Sequence, residues 1–133
     1  MIRKAEQSDV PVIKALMQSV PGFWQDSWRE DVVERALSTS SGLAFVWDEA
    51  GQVLGFACAH DLGFRAYLSE LIVSHRARGR GLGRQLVEHI HRELTARGCS
   101  ILISDVWRDA EEFYRSLGWS ESDVLLMRKR LKE

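Results

Sequence analysis

Residues 76–84 read Arg-Ala-Arg-Gly-Arg-Gly-Leu-Gly-Arg, and they are the most informative part of the sequence. It follows the apolar run Leu71–Val73 and precedes a segment in which apolar residues recur every fourth position. Glycine has no Cβ atom and lets the backbone approach a ligand closely, while the unpaired N–H groups of a first helical turn attract anions. The pattern therefore predicts a strand, a phosphate-binding turn and a helix in direct succession.

Two common phosphate-binding turns do not fit this spelling. A P-loop ends in Gly-Lys-Ser/Thr, but here Gly83 is followed by Arg84 and Gln85, which supply neither the lysine nor the hydroxyl for magnesium. A dinucleotide fingerprint has the spacing G-x-G-x-x-G, whereas Gly79, Gly81 and Gly83 are spaced G-x-G-x-G. The turn therefore belongs to neither class.

A second informative segment lies downstream, where residues 110–119 read Ala-Glu-Glu-Phe-Tyr-Arg-Ser-Leu-Gly-Trp. This segment is similar to the A-x-x-F-Y-x-x-L-G-F/W segment of the GCN5-related N-acetyltransferase (GNAT) family. Residues 78–83 match the acyl-CoA-binding motif of the same family, Q/R-x-x-G-x-G/A. The chain thus resembles a GNAT protein in two motifs, which occur in the order and at the separation usual for the family.

The resemblance implies an α/β (α+β) fold with a mixed central sheet, in which an antiparallel N-terminal meander is followed by a parallel pair of fourth and fifth strands, flanked by about four helices. Hydrophobic periodicity and turn residues predict the same order of elements. The predicted strands are Ile2–Ala5, Leu43–Trp47, Val53–Ala59, Tyr67–Val73, Ser100–Val106 and Val124–Arg130. The predicted helices run from Ser8-Asp9 to Val20, from about Ser27 to Ser38, from the glycine turn to Gly98, and from Asp109 to Leu117.

Length and composition exclude several classes of protein. A chain of 133 residues is expected to form one domain, residues 1–133, with a formal net charge of −1 that gives no general attraction to nucleic acid or membranes. Cys58 and Cys99 show no metal or disulfide spacing, so we expect inert thiols, no metal site and a cytoplasmic location. The sequence leaves open whether the chain acts alone or as a homodimer.

The resemblance implies acetyl-CoA as the acyl donor. The backbone N–H groups and arginines of the turn would hold its pyrophosphate, and the preceding strand would pair with its pantetheine arm as an added strand does. A backbone N–H near Ile72 or Val73 would polarise the thioester carbonyl. The residues assigned to the cofactor are Leu71, Ile72, Val73, Arg78, Gly79, Arg80, Gly81, Leu82, Gly83 and Arg84.

Two side chains are candidates for proton transfer. Tyr114 occupies the position where the family carries a tyrosine proposed to protonate the departing thiolate, although a tyrosine there also packs the last helix against the sheet. Glu70 lies in an otherwise apolar strand, where simple alternation places it on one face with Leu68 and Ile72. Related polyamine and amino-sugar acetyltransferases carry an acid at this position, so Glu70 is either the base or a scaffold carboxylate paired with arginine.

The acceptor is the least defined part of the prediction. Trp24 and Trp28 lie between the first two predicted helices and form either core packing or a substrate wall, and His60 is a further candidate at the end of the third strand. Trp107 occupies a position where the family often has asparagine, so cofactor contacts are expected to differ there. The sequence predicts an acetyl-CoA-dependent N-acetyltransferase acting on a small-molecule or protein amine; the alternative is a catalytically silent acyl-CoA-binding regulatory module.

Overall fold

A computed structural model describes residues 1–132, which contain five strands and four α-helices in the predicted order. The strands are β1 (Ile2–Lys4), β2 (Ala44–Glu49), β3 (Gln52–Asp61), β4 (Ala66–Val73) and β5 (Leu102–Ile103). The helices are α1 (Val10–Ser19), α2 (Val32–Thr39), α3 (Leu82–Ala96) and α4 (Glu111–Ser116). The expected mixed sheet with four helices is therefore confirmed.

The strands follow one another in space as they do in sequence. Strands β1 to β4 are antiparallel neighbours, and β5 pairs in parallel with β4 because the long helix α3 carries the chain back between them. Ala50 and Gly51 close the β2–β3 hairpin with φ angles of 53° and 87°, the positive values that a two-residue hairpin turn of type I′ requires.

Helices cover both faces of the sheet. The apolar stripe of α3, which includes Leu86 and Ile90, packs on one face, while α1 and α2 pack on the other. Gly55 of β3 permits the close approach of α3, because a Cβ atom there would lie 3.0 Å from Cδ1 of Leu86. Two apolar cores on opposite faces thus hold the sheet in place, and with it β4, the strand next to β3.

A bulge in β4 overturns the simple alternation expected for this strand. Cys58 pairs with Glu70 but its neighbour Ala59 pairs with Leu68, so Ser69 is an extra residue on β4. Leu68 therefore shares the α3 face with Leu71, whereas Glu70 lies opposite Cys58 on the face covered by α1 and α2. The prediction that Leu68 and Glu70 share a face was wrong, because one inserted residue reverses the pattern beyond it.

Three predicted boundaries also differ from the structure. The helix expected from Ser27 begins at Val32, because residues 27–31 form turns. The strand expected over Ser100–Val106 is only two residues long, since β4 and β5 diverge after Tyr67 and Ile103. Within residues 1–132 the segment Val124–Arg130 forms no strand: it has a strand-like sequence, but no neighbour pairs with its backbone.

Candidate active site

The divergence of β4 from the edge strand β5 opens a cleft of about 610 Å³ between them. The last backbone pairs between the two strands join Ala66 with Leu102 and Tyr67 with Ile103. From Ser69 onward the edge of β4 that faces away from β3 has no strand beside it, and Leu71, Ile72 and Val73 line the cleft. The free backbone groups of this edge suit an extended ligand that binds as an added strand.

The glycine turn opens α3 with an unobstructed backbone. Gly79 and Gly81 have φ angles of 80° and 79°, and a Cβ atom at either position would meet no other atom within 4 Å. The first backbone hydrogen bond of α3 runs from the Gln85 N–H to the Gly81 carbonyl at 3.1 Å. The N–H groups of residues 82–84 therefore lack helical partners at the positive end of the helix dipole, and this donor set fits a pyrophosphate.

The arginines of the turn differ in their surroundings. Arg78 lines the cleft, whereas Arg80 forms a bidentate ion pair with Glu49 of the β2–β3 hairpin, with N–O distances of 2.6 and 3.2 Å. Arg84 lies 3.4 Å from the Ser116 carbonyl and 4.0 Å from Glu88. The side chain of Leu82 is buried in a small core, so only its backbone is available to a ligand.

The two sequence motifs that carry the family resemblance meet in the structure. A Cβ atom at Gly83 would lie 3.4 Å from Cζ of Phe113 and 3.6 Å from Cγ2 of Val73. The third glycine of the turn thus allows α4 and β4 to pack against the start of α3. Phe113 therefore packs against the glycine turn, and its neighbour Tyr114 lines the cleft together with Arg78 of that turn.

Glu70 faces the cleft, where burial, followed by the nearby charge of Asp105, raises its pKa to about 7. Among the residues that the structure describes, no cationic group lies within 4.0 Å of its carboxylate. A carboxylate without a cation and with a pKa near neutrality is suited to proton exchange rather than to holding a permanent ion pair.

Asp105 is a functional candidate that the sequence argument did not identify. It follows β5 at the point where the strands separate, and it accepts a hydrogen bond from the hydroxyl of Tyr67 on β4. Its charge contributes to raising the pKa values of Glu70, Tyr67 and Tyr114. The available signal was its place at the carboxyl end of a strand beside the parallel strand β4, where ligands commonly bind in open sheets.

Tyr114 lies on the α4 side of the cleft. Burial, with a smaller effect from Asp105, raises the pKa of its hydroxyl to about 12, so it is protonated at neutral pH. Its ring lies edge-on to Phe113 and Trp119 with centroid distances of 5.0 and 5.1 Å. The indole N–H of Trp119 donates to Nε2 of His91 on α3 at 3.1 Å, which fixes the wall behind Tyr114.

The predicted acceptor residues separate into two groups. Trp28 lines the cleft together with Phe23, whose ring centroid is 6.2 Å from that of Trp28 and 6.0 Å from that of Trp107. Trp24 is outside the cleft lining: its ring lies edge-on to that of Trp28, at 5.3 Å between ring centroids, and the Lys14 ammonium lies over it.

His60 lies beside the cleft rather than in its lining. Its Nδ1–H donates to the Thr39 carbonyl at 3.2 Å, and Nε2 is 2.9 Å from Oγ of Ser69, the bulged residue of β4. The ring therefore links the end of α2 to β4.

The model of the Acetyltransferase (GNAT) family matches residues 10–119, which include the phosphate-binding turn and α4. The chain belongs to the GNAT acetyltransferase family. No helix in residues 1–132 has the length and apolar character needed to cross a membrane.

Solved structures of other GNAT proteins superimpose well on this GNAT domain. The ribosomal-protein-S18-alanine N-acetyltransferase from Escherichia coli has a TM-score of 0.78 at 28% identity, covering 92% of this chain and 78% of that one. Glucosamine-6-phosphate N-acetyltransferase from Arabidopsis thaliana has a TM-score of 0.73 at 24% identity, covering 99% and 98%. N-acetylglutamate synthase from Neisseria gonorrhoeae, complexed with coenzyme A and N-acetyl-glutamate, has a TM-score of 0.74 at 22% identity, covering 87% of this chain and 27% of that one.

Proposed function

We propose that this GNAT protein transfers the acetyl group of acetyl-CoA to a primary amine, by direct attack of the amine while both substrates are bound. The observation that carries the proposal is the shared cleft: the cation-free carboxylate of Glu70 and the protonated hydroxyl of Tyr114 both line it, next to the phosphate-binding turn. A base and an acid with different pKa values beside one binding cleft are the pair that acyl transfer to an amine requires.

Binding of the donor would use backbone groups more than side chains. The N–H groups of residues 82–84, with Arg78, would hold the pyrophosphate, and the open edge of β4 at Leu71–Val73 would pair with the pantetheine arm. When bound, acetyl-CoA supplies an activated acyl group with a thiolate as its leaving group. An N–H of the β4 edge near Ile72 or Val73 would polarise the thioester carbonyl.

Proton transfer would be divided between two residues. Amines bind largely as ammonium ions at neutral pH, so Glu70, with a pKa of about 7, would take one proton, directly or through water, and free the nitrogen lone pair. Tyr114 would donate its hydroxyl proton to the departing thiolate. After attack the nitrogen carries one further surplus proton, and its transfer through water to the Tyr114 phenolate would restore the tyrosine. Glu70 would then release its own proton to solvent, so that the reaction yields the amide, the CoA thiol and one proton.

The test is a panel of amines, amino acids and N-terminal peptides incubated with acetyl-CoA, followed by detection of both CoA release and the acetylated product by mass spectrometry. We expect product with at least one amine, and initial-rate lines that intersect when both substrates are varied, as ternary-complex kinetics require. Tight CoA binding without product from any amine would instead support the alternative, a silent acyl-CoA-binding module. Parallel initial-rate lines would contradict direct attack.

A further inference from the structure

The C-terminal segment brings two arginines to the acceptor cleft. Arg128 and Arg130 both line it, while Lys129 between them is outside its lining. The two arginines are two positions apart, which is the spacing at which side chains of an extended segment project to the same side. Residues 124–130 are all exposed and form no strand in the described part of the chain, and of this segment only the two arginines belong to the cleft lining.

Neither guanidinium is neutralised within the described part of the chain. No carboxylate in residues 1–132 lies within 4.0 Å of Arg128 or Arg130, and the same holds for Arg78 of the glycine turn, whereas Arg80 and Arg84 each have a glutamate partner. The same cleft contains the carboxylates of Glu70 and Asp105. The described part of the cleft therefore presents two acidic groups and three arginines that have no carboxylate partner: Arg78 from the glycine turn, and Arg128 and Arg130 from the C-terminal segment.

We propose that the acceptor is a small amine that also carries an anionic group, a carboxylate or a phosphate, which Arg128 and Arg130 hold while the amine lies at Glu70. This inference rests on the proposed function, since it specifies the substrate class of the same cleft. Arginine is suited to the task because its planar guanidinium binds carboxylate and phosphate oxygens in pairs. A zwitterionic acceptor complements both sets of charges, whereas a simple polyamine would place cations beside the two arginines.

The test compares matched amines that differ only in the anionic group: glycine with glycinamide, glutamate with its diamide, and phosphoethanolamine with ethanolamine. For the wild type we expect kcat/KM at least about 10-fold higher for the anionic member of one pair, the size of one charge-assisted hydrogen bond. The first two pairs report on carboxylate and the third on phosphate. In Arg128→Ala/Arg130→Ala this preference should disappear through a higher KM for the anionic amine, while its neutral partner reacts as before.

Three controls separate the alternatives. Lys129→Ala removes a neighbouring charge outside the cleft lining and should keep the preference. Calorimetry with CoA should give the same Kd for wild type and double variant; equal weakening of CoA and of both amines would overturn the proposal by assigning the arginines to the donor. Binding of the anionic amines in the presence of CoA, followed by ligand-detected NMR, gives a readout independent of turnover.

The NMR readout also distinguishes this inference from the proposed function. Arginine-dependent binding of an anionic amine without acetylation would support the acceptor class and contradict the transferase activity. Acetylation of neutral and anionic amines at equal rates would support the activity and overturn the acceptor class. Absence of any arginine-dependent binding would also overturn it.

Discussion

Glu70 on β4 and Asp105 after β5 face the same cleft, and the charge of Asp105 adds to the larger effect of burial in raising the pKa of Glu70 to about 7. The two carboxylates come from strands that pair for only two residues before they separate. The two carboxylates therefore face the same cleft because β4 and β5 separate there. The separation of the strands thus affects the pKa of Glu70, the proposed base.

Replacing Asp105 with asparagine should move the pH dependence of catalysis. Activity is expected to rise as Glu70 loses its proton, with a midpoint near pH 7 in the free enzyme. Without the charge at 105 the pKa of Glu70 falls, so the midpoint of kcat/KM against pH should shift to lower pH, and the ratio of activity at pH 6 to that at pH 8 should rise by about 2- to 5-fold. Asp109→Asn, at an exposed position nearby, is the control, and an unmoved midpoint would assign the shift to burial alone.

Replacing Glu70 with glutamine should lower activity and raise stability at high pH. The ordinary pKa of this side chain is 4.5 and the folded value is about 7, so the folded chain binds the proton more tightly than the unfolded chain. Stability from this group is full below pH 4.5 and is lost as pH rises to about 7. At pH 8 the free energy of unfolding of Glu70→Gln should therefore exceed that of the wild type by up to about 3 kcal/mol. At pH 5 the difference should be much smaller.

Urea unfolding at both pH values measures this difference, and the exposed Glu34→Gln is the matched control. Turnover of Glu70→Gln at pH 7 should fall by about 10²- to 10⁴-fold, the usual contribution of a positioned base. A variant that is less stable than wild type at pH 8 but turns over normally would identify Glu70 as a scaffold charge.

Replacing Tyr114 with phenylalanine should separate catalysis from binding. Phenylalanine keeps the edge-on contacts with Phe113 and Trp119, so the melting temperature and the Kd for CoA should stay close to the wild-type values. Loss of the hydroxyl should lower kcat by about 10²- to 10³-fold, because the thiolate then leaves without a positioned acid. Calorimetry and steady-state assays check both parts, and unchanged kcat would transfer the acid role to water.

Replacing Gly81 with valine should abolish CoA binding. Gly81 lies just before α3 and Gly98 just after it, with φ angles of 79° and 82°. A Cβ atom added at either position would have no other atom within 4 Å. Valine at either site therefore costs a similar backbone strain of about 1–3 kcal/mol, but only at 81 does it stand over the phosphate-binding N–H groups. We expect Gly81→Val to weaken CoA binding by more than about 100-fold while Gly98→Val binds normally; equal losses would trace the effect to helix stability.

Removing the charge of Glu49 should strengthen CoA binding. Its carboxylate holds Arg80 of the phosphate-binding turn in a bidentate ion pair, and both side chains are nearly half exposed. An exposed ion pair contributes little to stability and is screened by salt, so releasing Arg80 in Glu49→Gln should lower the Kd for CoA by about 2- to 5-fold at low salt and less at high salt. Glu112→Gln on α4 is the control, and weaker binding would show that the pair orients Arg80 for the ligand.

Local patterns predicted the elements that local interactions determine. The fourfold spacing of Leu82, Leu86, Ile90 and Leu94 reproduces the buried stripe of α3, since residues of one helix face lie within a few positions of each other. The β2–β3 hairpin was likewise predicted from the residues of its turn. The segment Val124–Arg130 shows the opposite case: its composition favours a strand, but a strand also needs a neighbour whose backbone groups pair with it, and none is supplied within residues 1–132.

The glycine-rich turn, the helix α3 that follows it and the resemblance to the GNAT family could all be predicted from the sequence, because they depend on residue types at fixed short spacings. Which residues share the cleft depends instead on tertiary contacts. The bulge at Ser69 moved Glu70 to the face opposite Leu68, the short pairing of β4 with β5 opened the gap, and Asp105 entered it from a distant part of the chain. The sheet face on which Glu70 lies, its distance from Asp105 and its pKa all depend on strand register and on burial. These are set by residues far apart in sequence, so a local sequence pattern does not predict them.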